Sequence, residues 1–196
     1  MPAVTTAKKA IRRSVVALRD ALSGSERGQQ ASEITAKLLA LPQFISASTV
    51  AAYASFGSEL DTGPFLEGVL NTGKRLLLPR VDSERRALHF HRVTELEGAF
   101  LAGPWGIREP DPARCAEADL REIDFMLVPG VAFTRRCERL GYGGGFYDGA
   151  IGDIRDDAAR VAAAFDLQIV HTLPLEAHDR RVGLVVTQSA SYSADH

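Results

Sequence analysis

The sequence predicts an α/β fold in which a mostly parallel central sheet is flanked by helices. Three segments are near-continuous apolar runs, as expected of strands covered on both faces: DFMLVPG at 124–130, RVAAAFD at 160–166 and VGLVVTQ at 182–188. Segments with helical spacing alternate with buried strands, which is typical of parallel sheets. We therefore expect a Rossmann-like layered architecture formed by a single domain over residues 1–196, a length sufficient for one sizeable core.

The N-terminal part predicts two helices and a strand. Apolar residues recur at three- and four-residue steps over 7–22, which indicates a helix with a basic face. A second helix is expected over 25–41, because Pro42 would end it. The stretch TVAAYAS at 49–55 then reads as a short buried strand.

The next segments predict a helix followed by two strands. In DTGPFLEGVLNTG at 61–73, Pro64 suits a first helical position and Gly73 a C-terminal cap. KRLLLPRV at 74–81 and ALHFHRV at 87–93 are strand candidates. The chain therefore continues the alternation of helix and strand.

Charge and cysteine content favour a cytoplasmic protein with a small-molecule partner. The 23 basic and 25 acidic side chains leave a formal net charge of -2, which gives no global attraction to nucleic acid or membranes. No segment is apolar for long enough to span a bilayer or to act as a signal peptide. Cys115 and Cys137 are too few for a disulfide framework, so both are expected to be reduced.

The stretch RLGYGGGFYDGA at 139–150 contains five glycines and allows two interpretations. Backbone without Cβ atoms can point N–H groups into one concavity, which suits a nucleotide phosphate. Alternatively, it is a mobile turn between a strand and a helix. A helical pattern between Gly145 and Arg155 places the loop at a strand end, where ligand sites of α/β sheets usually lie.

Other short motifs do not indicate a site. GVLNTGKR at 68–75 departs from the P-loop pattern because Arg75 stands where Ser or Thr should bind magnesium, and it closes a helix rather than opening one. Phe146 replaces the last glycine of a dinucleotide fingerprint. His89 and His91 share a strand face but have no third metal ligand at a suitable spacing, so an exposed face is expected.

The longer segment DFMLVPGVAFTRRCERLGYGGGFYD at 124–148 resembles the signature of the 5-formyltetrahydrofolate cyclo-ligase family, also called methenyltetrahydrofolate synthetase. Shorter resemblances follow in the family's order: KKAIR at 8–12, SELDT at 58–62, GPWGIREP at 103–110 and LPLEAHDRRVGLVVT at 173–187. The resemblance implies an ATP- and Mg²⁺-dependent cyclisation of 5-formyltetrahydrofolate to 5,10-methenyltetrahydrofolate, releasing ADP and phosphate. Phosphorylation of the formyl oxygen would create the leaving group that N10 displaces.

The same resemblance implies the nucleotide site and its metal. The residues expected to bind ATP are Lys8, Lys9, Ala10, Ile11, Arg12, Arg139, Leu140, Gly141, Tyr142, Gly143, Gly144, Gly145, Phe146 and Tyr147. Lys8 and Arg12 would contact phosphate from one helix face, and Arg139 and Tyr147 would be catalytic. Asp148 and Asp179 match magnesium ligands, for which carboxylates are suitable donors. Solvated helix charges remain the alternative for Lys8 and Arg12, and a helix N-terminal charge for Asp148.

The resemblance also implies a folate site. Its expected residues are Ala54, Glu59, Trp105, Tyr142, Gly143, Gly144, Gly145 and Phe146. Glu59 could accept hydrogen bonds from the pterin, and Trp105 could pack against the folate rings. A surface carboxylate and a core tryptophan are the respective alternatives.

Three positions depart from the family pattern. Thr134 and Cys137 stand where an aspartate and a glycine are common, and a different loop path is expected because Cys adopts positive φ less readily than Gly. Gly144 stands where some relatives carry lysine, so one phosphate contact is either missing or supplied by Arg135 or Arg136.

Two other functions stay open. The chain could bind folate or a nucleotide without turnover, or it could be another enzyme on a similar α/β scaffold, such as a sugar-phosphate isomerase or a CoA-transferase relative. The expected partner is 5-formyltetrahydrofolate, with neither nucleic acid nor membrane, and the expected state is a monomer or weak homodimer.

Overall fold

The computed structural model describes residues 2–194, apart from the side chains of residues 2, 3 and 105. Its helices are α1 (Pro2–Asp20), α2 (Gly24–Leu39), α3 (Pro42–Ser46), α4 (Gly63–Asn71) and α5 (Phe146–Asp153). Its strands are β1 (Thr49–Ala51), β2 (Arg75–Asp82), β3 (Ala87–Val93), β4 (Phe100–Ala102), β5 (Arg108–Pro110), β6 (Glu117–Ala118), β7 (Phe125–Leu127), β8 (Ala132–Phe133), β9 (Arg139–Leu140), β10 (Ala159–Ala163), β11 (Leu184–Val186) and β12 (Ser191–Ser193).

Eight strands form one sheet in the order β12-β11-β10-β7-β1-β2-β3-β6. The central strands β11, β10, β7, β1 and β2 are parallel to one another. Antiparallel strands complete both edges, with β12 on one side and β3 and β6 on the other. The predicted α/β fold with a mostly parallel sheet is therefore confirmed, whereas the antiparallel edges were not predicted.

The sheet is covered on both faces because successive residues of its strands point in opposite directions. Phe125 and Leu127 of β7 pack into the hydrophobic cluster that contains residues of α2, α3 and α4. Met126, between them, packs into the cluster that contains Ile151 of α5. Helices on opposite faces explain why the central strands are apolar along their whole length.

Most predicted elements are present, and their bounds differ at the ends. Pro42 does more than end α2, because it starts the short helix α3, where its missing N–H costs nothing. The predicted strand 49–55 ends as β1 at Ala51, and the following residues leave the sheet. Gly73 has a φ of +73 just after α4, as expected of a C-terminal cap.

Expectations for the histidines and cysteines had mixed outcomes. His89 is partly exposed, but His91 is buried and its Nδ1 lies 2.8 Å from the backbone oxygen of Cys115. The expected exposed histidine face is therefore wrong at His91, because β6 and the chain before it cover that end of β3. Cys115 and Cys137 are both free and buried. Within residues 2–194, the structure has no helix long and apolar enough to cross a membrane.

Candidate active site

A cavity of about 730 Å³ lies at the carboxyl ends of β1, β2 and β7. The chain runs from β1 to β2 on one side and from β7 to β10 on the other, so the strand order reverses between β1 and β7. Ligands of parallel α/β sheets bind at such reversals, because the loops on either side separate there. Ala54 after β1 and Pro129 after β7 line the cavity.

Most of the predicted site residues meet in this cavity. Those that line it are Lys8, Arg12, Ala54, Glu59, Arg139, Leu140, Gly141, Tyr142, Gly143, Gly144, Gly145, Phe146, Tyr147, Asp148 and Asp179. Because a helix turns about 100° per residue, Lys8 and Arg12 share a face that Lys9 and Ala10 do not.

The structure does not bring those three intervening residues to the cavity. Lys9 and Ala10 are exposed. Ile11 packs against the hydrophobic cluster that contains the buried Val15 of the same helix. Their place in the nucleotide site therefore stays a prediction from the resemblance alone. The side chain of Trp105 lies outside the described residues, although its backbone belongs to a 3-10 turn between β4 and β5.

The glycine-rich loop, residues 141–145 between β9 and α5, is contacted by two arginines. Gly143 and Gly145 have φ values of +107 and +75, so both adopt conformations that strain a residue with a Cβ. Arg12 donates from Nε to the Gly141 oxygen at 2.7 Å. Arg86 donates from Nη2 to the Gly144 oxygen at 3.1 Å. The loop is therefore a backbone surface with positive charge nearby.

Arg139 is fixed inside the cavity wall, with 2% of its side chain exposed. Its Nη2 donates to Asp148 Oδ1 at 2.6 Å, and its Nη1 donates to the Pro129 oxygen at 3.3 Å. Its Nε and the hydroxyl of Tyr147 are buried and have no hydrogen-bond partner among the described residues. Buried polar atoms without partners cost about 1–3 kcal/mol each, so the site suits a ligand with acceptor oxygens.

Lys8 joins the N-terminal helix to two acidic residues of the segment after β10. Its Nζ donates to Asp179 Oδ2 at 2.6 Å and to Glu176 Oε2 at 2.8 Å. Burial opposes the charge on Lys8, yet hydrogen bonds to these carboxylates raise its pKa above the ordinary value. Burial likewise opposes the charge on Asp179, and the Lys8 hydrogen bond is the main cause that lowers the pKa of this carboxyl.

The acidic residues around Lys8 form a possible cation site. Ligand atoms of Glu176, His178 and Asp179 lie within 4.8 Å of one another. The two carboxylates are donors of the kind that Mg²⁺ prefers. Asp148, the other predicted ligand, lines the same cavity but accepts from Arg139 and from the Arg180 amide. The predicted metal residues therefore share a cavity but not one ligand cluster.

Glu59 is a buried carboxylate that lines the same cavity, with 8% of its surface exposed. The Tyr142 hydroxyl donates to Oε1 at 2.7 Å and the Phe56 amide donates to Oε2 at 3.1 Å. Burial raises the pKa of Glu59 above its ordinary value, and these hydrogen bonds partly oppose that rise. Tyr142 also lies against Phe56, with 5.3 Å between the ring centroids.

Sequence reasoning missed a second recess, of about 410 Å³, beside the glycine-rich loop. Arg86, His178 and Arg180 line it together with the loop glycines. Arg135 and Arg136, expected as substitutes for a loop lysine, are instead exposed and line neither space. Arg86 comes from the β2–β3 turn, 58 residues before Gly144, so no local sequence signal could indicate it.

Cys137 adopts a φ of +60, so the expectation that cysteine would avoid this conformation is wrong. Its thiol is buried and donates to the Tyr192 oxygen at 3.0 Å. Thr134 donates from its hydroxyl to Glu138 Oε2 at 2.9 Å. The buried thiol and this neighbouring hydrogen bond help to hold the left-handed turn despite its strain.

Comparisons with known proteins found similar sequences and a similar fold. Residues 4–188 match the sequence model of the 5-formyltetrahydrofolate cyclo-ligase family. The 5-formyltetrahydrofolate cyclo-ligase of Escherichia coli K12 is 32% identical over 176 residues, covering 87% of this chain and 94% of that protein. The Mycolicibacterium smegmatis protein of the same name is 34% identical over 145 residues, covering 73% of this chain and 75% of its own.

A solved structure resembles the whole fold. The 5,10-methenyltetrahydrofolate synthetase of Aquifex aeolicus superposes with a TM-score of 0.84 at 31% identity, covering 96% of this chain and 93% of that one.

Proposed function

Because the chain belongs to the 5-formyltetrahydrofolate cyclo-ligase family, we propose that it catalyses the ATP- and Mg²⁺-dependent cyclisation of 5-formyltetrahydrofolate. The products would be 5,10-methenyltetrahydrofolate, ADP and phosphate. One observation carries the proposal: the glycine-rich loop with its cations and the buried acceptor Glu59 line the same cavity. A nucleotide phosphate and a folate ring could therefore meet there.

The reaction requires positioning more than covalent catalysis by the protein. The formyl oxygen forms a bond to the γ-phosphorus as the bond from that phosphorus to ADP breaks. N10 then bonds to the formyl carbon and loses its proton, while the carbon–oxygen bond breaks and phosphate leaves. Neither step needs a nucleophilic side chain, in keeping with a sequence that has no nucleophile elbow.

The nucleotide fits the residues around the glycine-rich loop. Positive φ at Gly143 and Gly145 leaves backbone that an oxygen can approach, and Arg12 adds charge at the Gly141 oxygen. Arg139 Nε and the Tyr147 hydroxyl are donors without partners among the described residues, so we assign them to oxygens of the transferring phosphate or of the formyl group. Their catalytic role is part of the proposal.

The donor set also fits a hard divalent cation. Glu176 and Asp179 would hold Mg²⁺, with His178 beside them and Asp148 completing the acidic lining. Bound there, the ion would neutralise charge on the phosphates. Lys8 already forms ion pairs with the two carboxylates of this group, so it would share them with the ion or turn to phosphate.

The folate is assigned to the wall that contains Ala54 and Glu59, with Tyr142 and Phe146 between the two ligands. Trp105 stays a proposed contact on the basis of the sequence alone. Residues 1–196 are proposed to act as one domain, as a monomer or weak homodimer, in the cytoplasm and without nucleic acid or membrane partners.

The direct test mixes the purified protein with 5-formyltetrahydrofolate and Mg-ATP and follows the near-ultraviolet absorbance of the methenyl product. We expect product when ATP and magnesium are both present and none when either is removed. Product formed after complete removal of ATP would overturn the proposal. Calorimetric binding of both ligands without product would instead favour a binding module.

A further inference from the structure

Arg19, near the end of α1, is a buried cation without an ion-pair partner among the described residues. Only 4% of its surface is exposed, and no carboxylate oxygen in residues 2–194 lies within 4.0 Å of its guanidinium nitrogens. Its Nε donates to Ser58 Oγ at 3.0 Å and its Nη2 donates to the Tyr142 hydroxyl at 3.0 Å. A buried charge is costly unless hydrogen bonds and a nearby opposite charge compensate it.

Two carboxylates supply opposite charge through hydroxyl groups: Ser58 Oγ donates to Asp20 Oδ1, and the Tyr142 hydroxyl leads to Glu59. The Tyr142 hydroxyl accepts from Arg19 and donates to Glu59 Oε1, so one hydroxyl joins a buried cation to a buried anion. Arg19 does not line the cavity, whereas Glu59 and Tyr142 do. Arg19 therefore acts on the cavity through these two residues and not by contact with a ligand.

We propose that Arg19 is a positioning residue for the folate site, which holds Glu59 ionised and oriented through the Tyr142 hydroxyl. The identity of the ligand rests on the proposed function above. The relation of Arg19 to Glu59 rests on the contacts alone. Substrate N–H groups need an acceptor, and a carboxylate accepts at both oxygens, whereas a protonated carboxyl donates from one of them.

Among the groups that act on the ionisation of Glu59, Arg19 is the one that carries a positive charge. Tyr53 follows β1, Tyr142 belongs to the glycine-rich loop and Tyr147 belongs to α5. Phenols are neutral near pH 7, and burial raises the pKa values of these three further. The Phe56 amide adds one donor. Burial is the largest cause that raises the pKa of Glu59. The hydrogen bonds from Tyr142 and from the Phe56 amide lower it most, and the charge of Arg19 lowers it further by a smaller amount. Without Arg19, the pKa of Glu59 would rise further.

A higher pKa of Glu59 should make folate binding more sensitive to acid. In a variant without the Arg19 charge, Glu59 is protonated up to a higher pH than in the parent protein. Folate binding should then weaken most at low pH and recover as the pH rises. The acid limb of the profile of kcat/KM for 5-formyltetrahydrofolate should therefore move to higher pH.

The experiment compares Arg19→Met, which removes the charge, with Arg19→Lys, which restores it. Arg13→Met is the control, because Arg13 is an exposed basic residue of the same helix. For Arg19→Met we expect about a tenfold rise in KM for 5-formyltetrahydrofolate at pH 7, the usual effect of losing a charged hydrogen bond, and little change in KM for ATP. Arg19→Lys should return the acid limb toward that of the parent, and Arg13→Met should leave it unmoved.

Two further measurements keep the inference testable. Arg19→Gln, which removes the charge but keeps an amide donor, replaces Arg19→Met if that variant does not fold. Tyr142→Phe removes the connecting hydroxyl and should also move the acid limb upward. Carboxyl ¹³C NMR, assigned with Glu59→Gln, reports the titration of Glu59 without any turnover. A Glu59 titration that loss of the Arg19 charge leaves unchanged would overturn the inference, even if Tyr142→Phe moves it, because the Tyr142 hydroxyl bonds Glu59 directly. If the parent protein shows no turnover but loss of the Arg19 charge still shifts the Glu59 titration, the proposed function is overturned and the link between Arg19 and Glu59 stands.

Discussion

At the scale of single residues, the charge of Glu59 should matter for one ligand and not the other. Glu59→Gln keeps the shape of the side chain but removes the ionised acceptor. We expect folate binding to weaken by about 1–3 kcal/mol, the usual loss for a charged hydrogen bond, while ATP affinity barely changes. Isothermal titration of each ligand measures both effects. Glu67→Gln, the same change at an exposed position of α4, should alter neither, and equal losses for both ligands would place Glu59 elsewhere.

Cys137 allows a test of backbone strain. At its φ of +60 a Cβ costs about 1–2 kcal/mol, which glycine avoids and alanine does not. We expect Cys137→Gly to be more stable than Cys137→Ala by about 1 kcal/mol in urea unfolding. Cys115 is also buried but has no positive φ, so the order of its two variants should be reversed. If the alanine variant were more stable than the glycine variant at both sites, Cys137 would not be strained.

The sequence could predict single site residues where backbone chemistry is local. The glycine-rich loop is recognisable from its composition, whereas Lys8 and Arg12, one helical turn apart, were assigned only through the family resemblance. Arg19 and Arg86 could not be predicted, because their contacts with Tyr142 and Gly144 join residues far apart in the chain. Their roles depend on tertiary packing, which no short pattern reports.

At the scale of elements, the loop before α5 combines strain with a possible binding role. Gly145 has a φ of +75, and a Cβ there would meet no atom closer than 3.8 Å. Gly145→Ala should therefore fold, with a stability loss of about 1–2 kcal/mol from strain alone. If the loop holds ATP, the displaced phosphate should also lower turnover by on the order of a hundredfold. Mg-ATP should then no longer raise the melting temperature.

Gly73→Ala is the matched control for that variant. Gly73 has a φ of +73 and open space around it, but it lies between α4 and β2 and does not line the cavity. It should lose similar stability while keeping full turnover and the Mg-ATP shift. Unimpaired turnover of folded Gly145→Ala would show that the glycine-rich loop is only a turn.

The sequence could predict elements whose apolar pattern is long enough to read. The buried runs at β7, β10 and β11 indicated central strands, and ALHFHRV coincides with β3. The edge strands β6 and β12 have two and three residues and, unlike β7 and β11, do not lie within a long apolar run. Their presence follows from neighbouring strands that provide hydrogen bonds, so the antiparallel edges of the sheet could not be predicted.

At the scale of the whole molecule, the cavity depends on segments from both ends of the chain. Lys8 of α1 contacts Glu176 and Asp179, residues 168 and 171 positions later. Folding therefore brings Lys8, which was expected to bind phosphate, into direct contact with Asp179, which was expected to bind the metal. This ion pair could not be predicted from either motif, because each was interpreted as facing a ligand.

Because Lys8 forms ion pairs with Glu176 and Asp179, it should favour the binding of ATP and oppose the binding of a divalent cation. In Lys8→Met, ATP should bind about 1–3 kcal/mol more weakly, because a charged hydrogen bond to phosphate is lost. A divalent cation should bind at least about fivefold more tightly, since roughly 1 kcal/mol of repulsion between charges about 4 Å apart is removed even in water. Isothermal titration measures the nucleotide, and Mn²⁺ followed by electron paramagnetic resonance reports the cation in its absence. Lys9→Met, an exposed neighbour on α1, should change neither affinity. If Lys8→Met weakened both ligands, or if Lys9→Met behaved like it, then Lys8 would not be the cation that these carboxylates hold near the phosphate site.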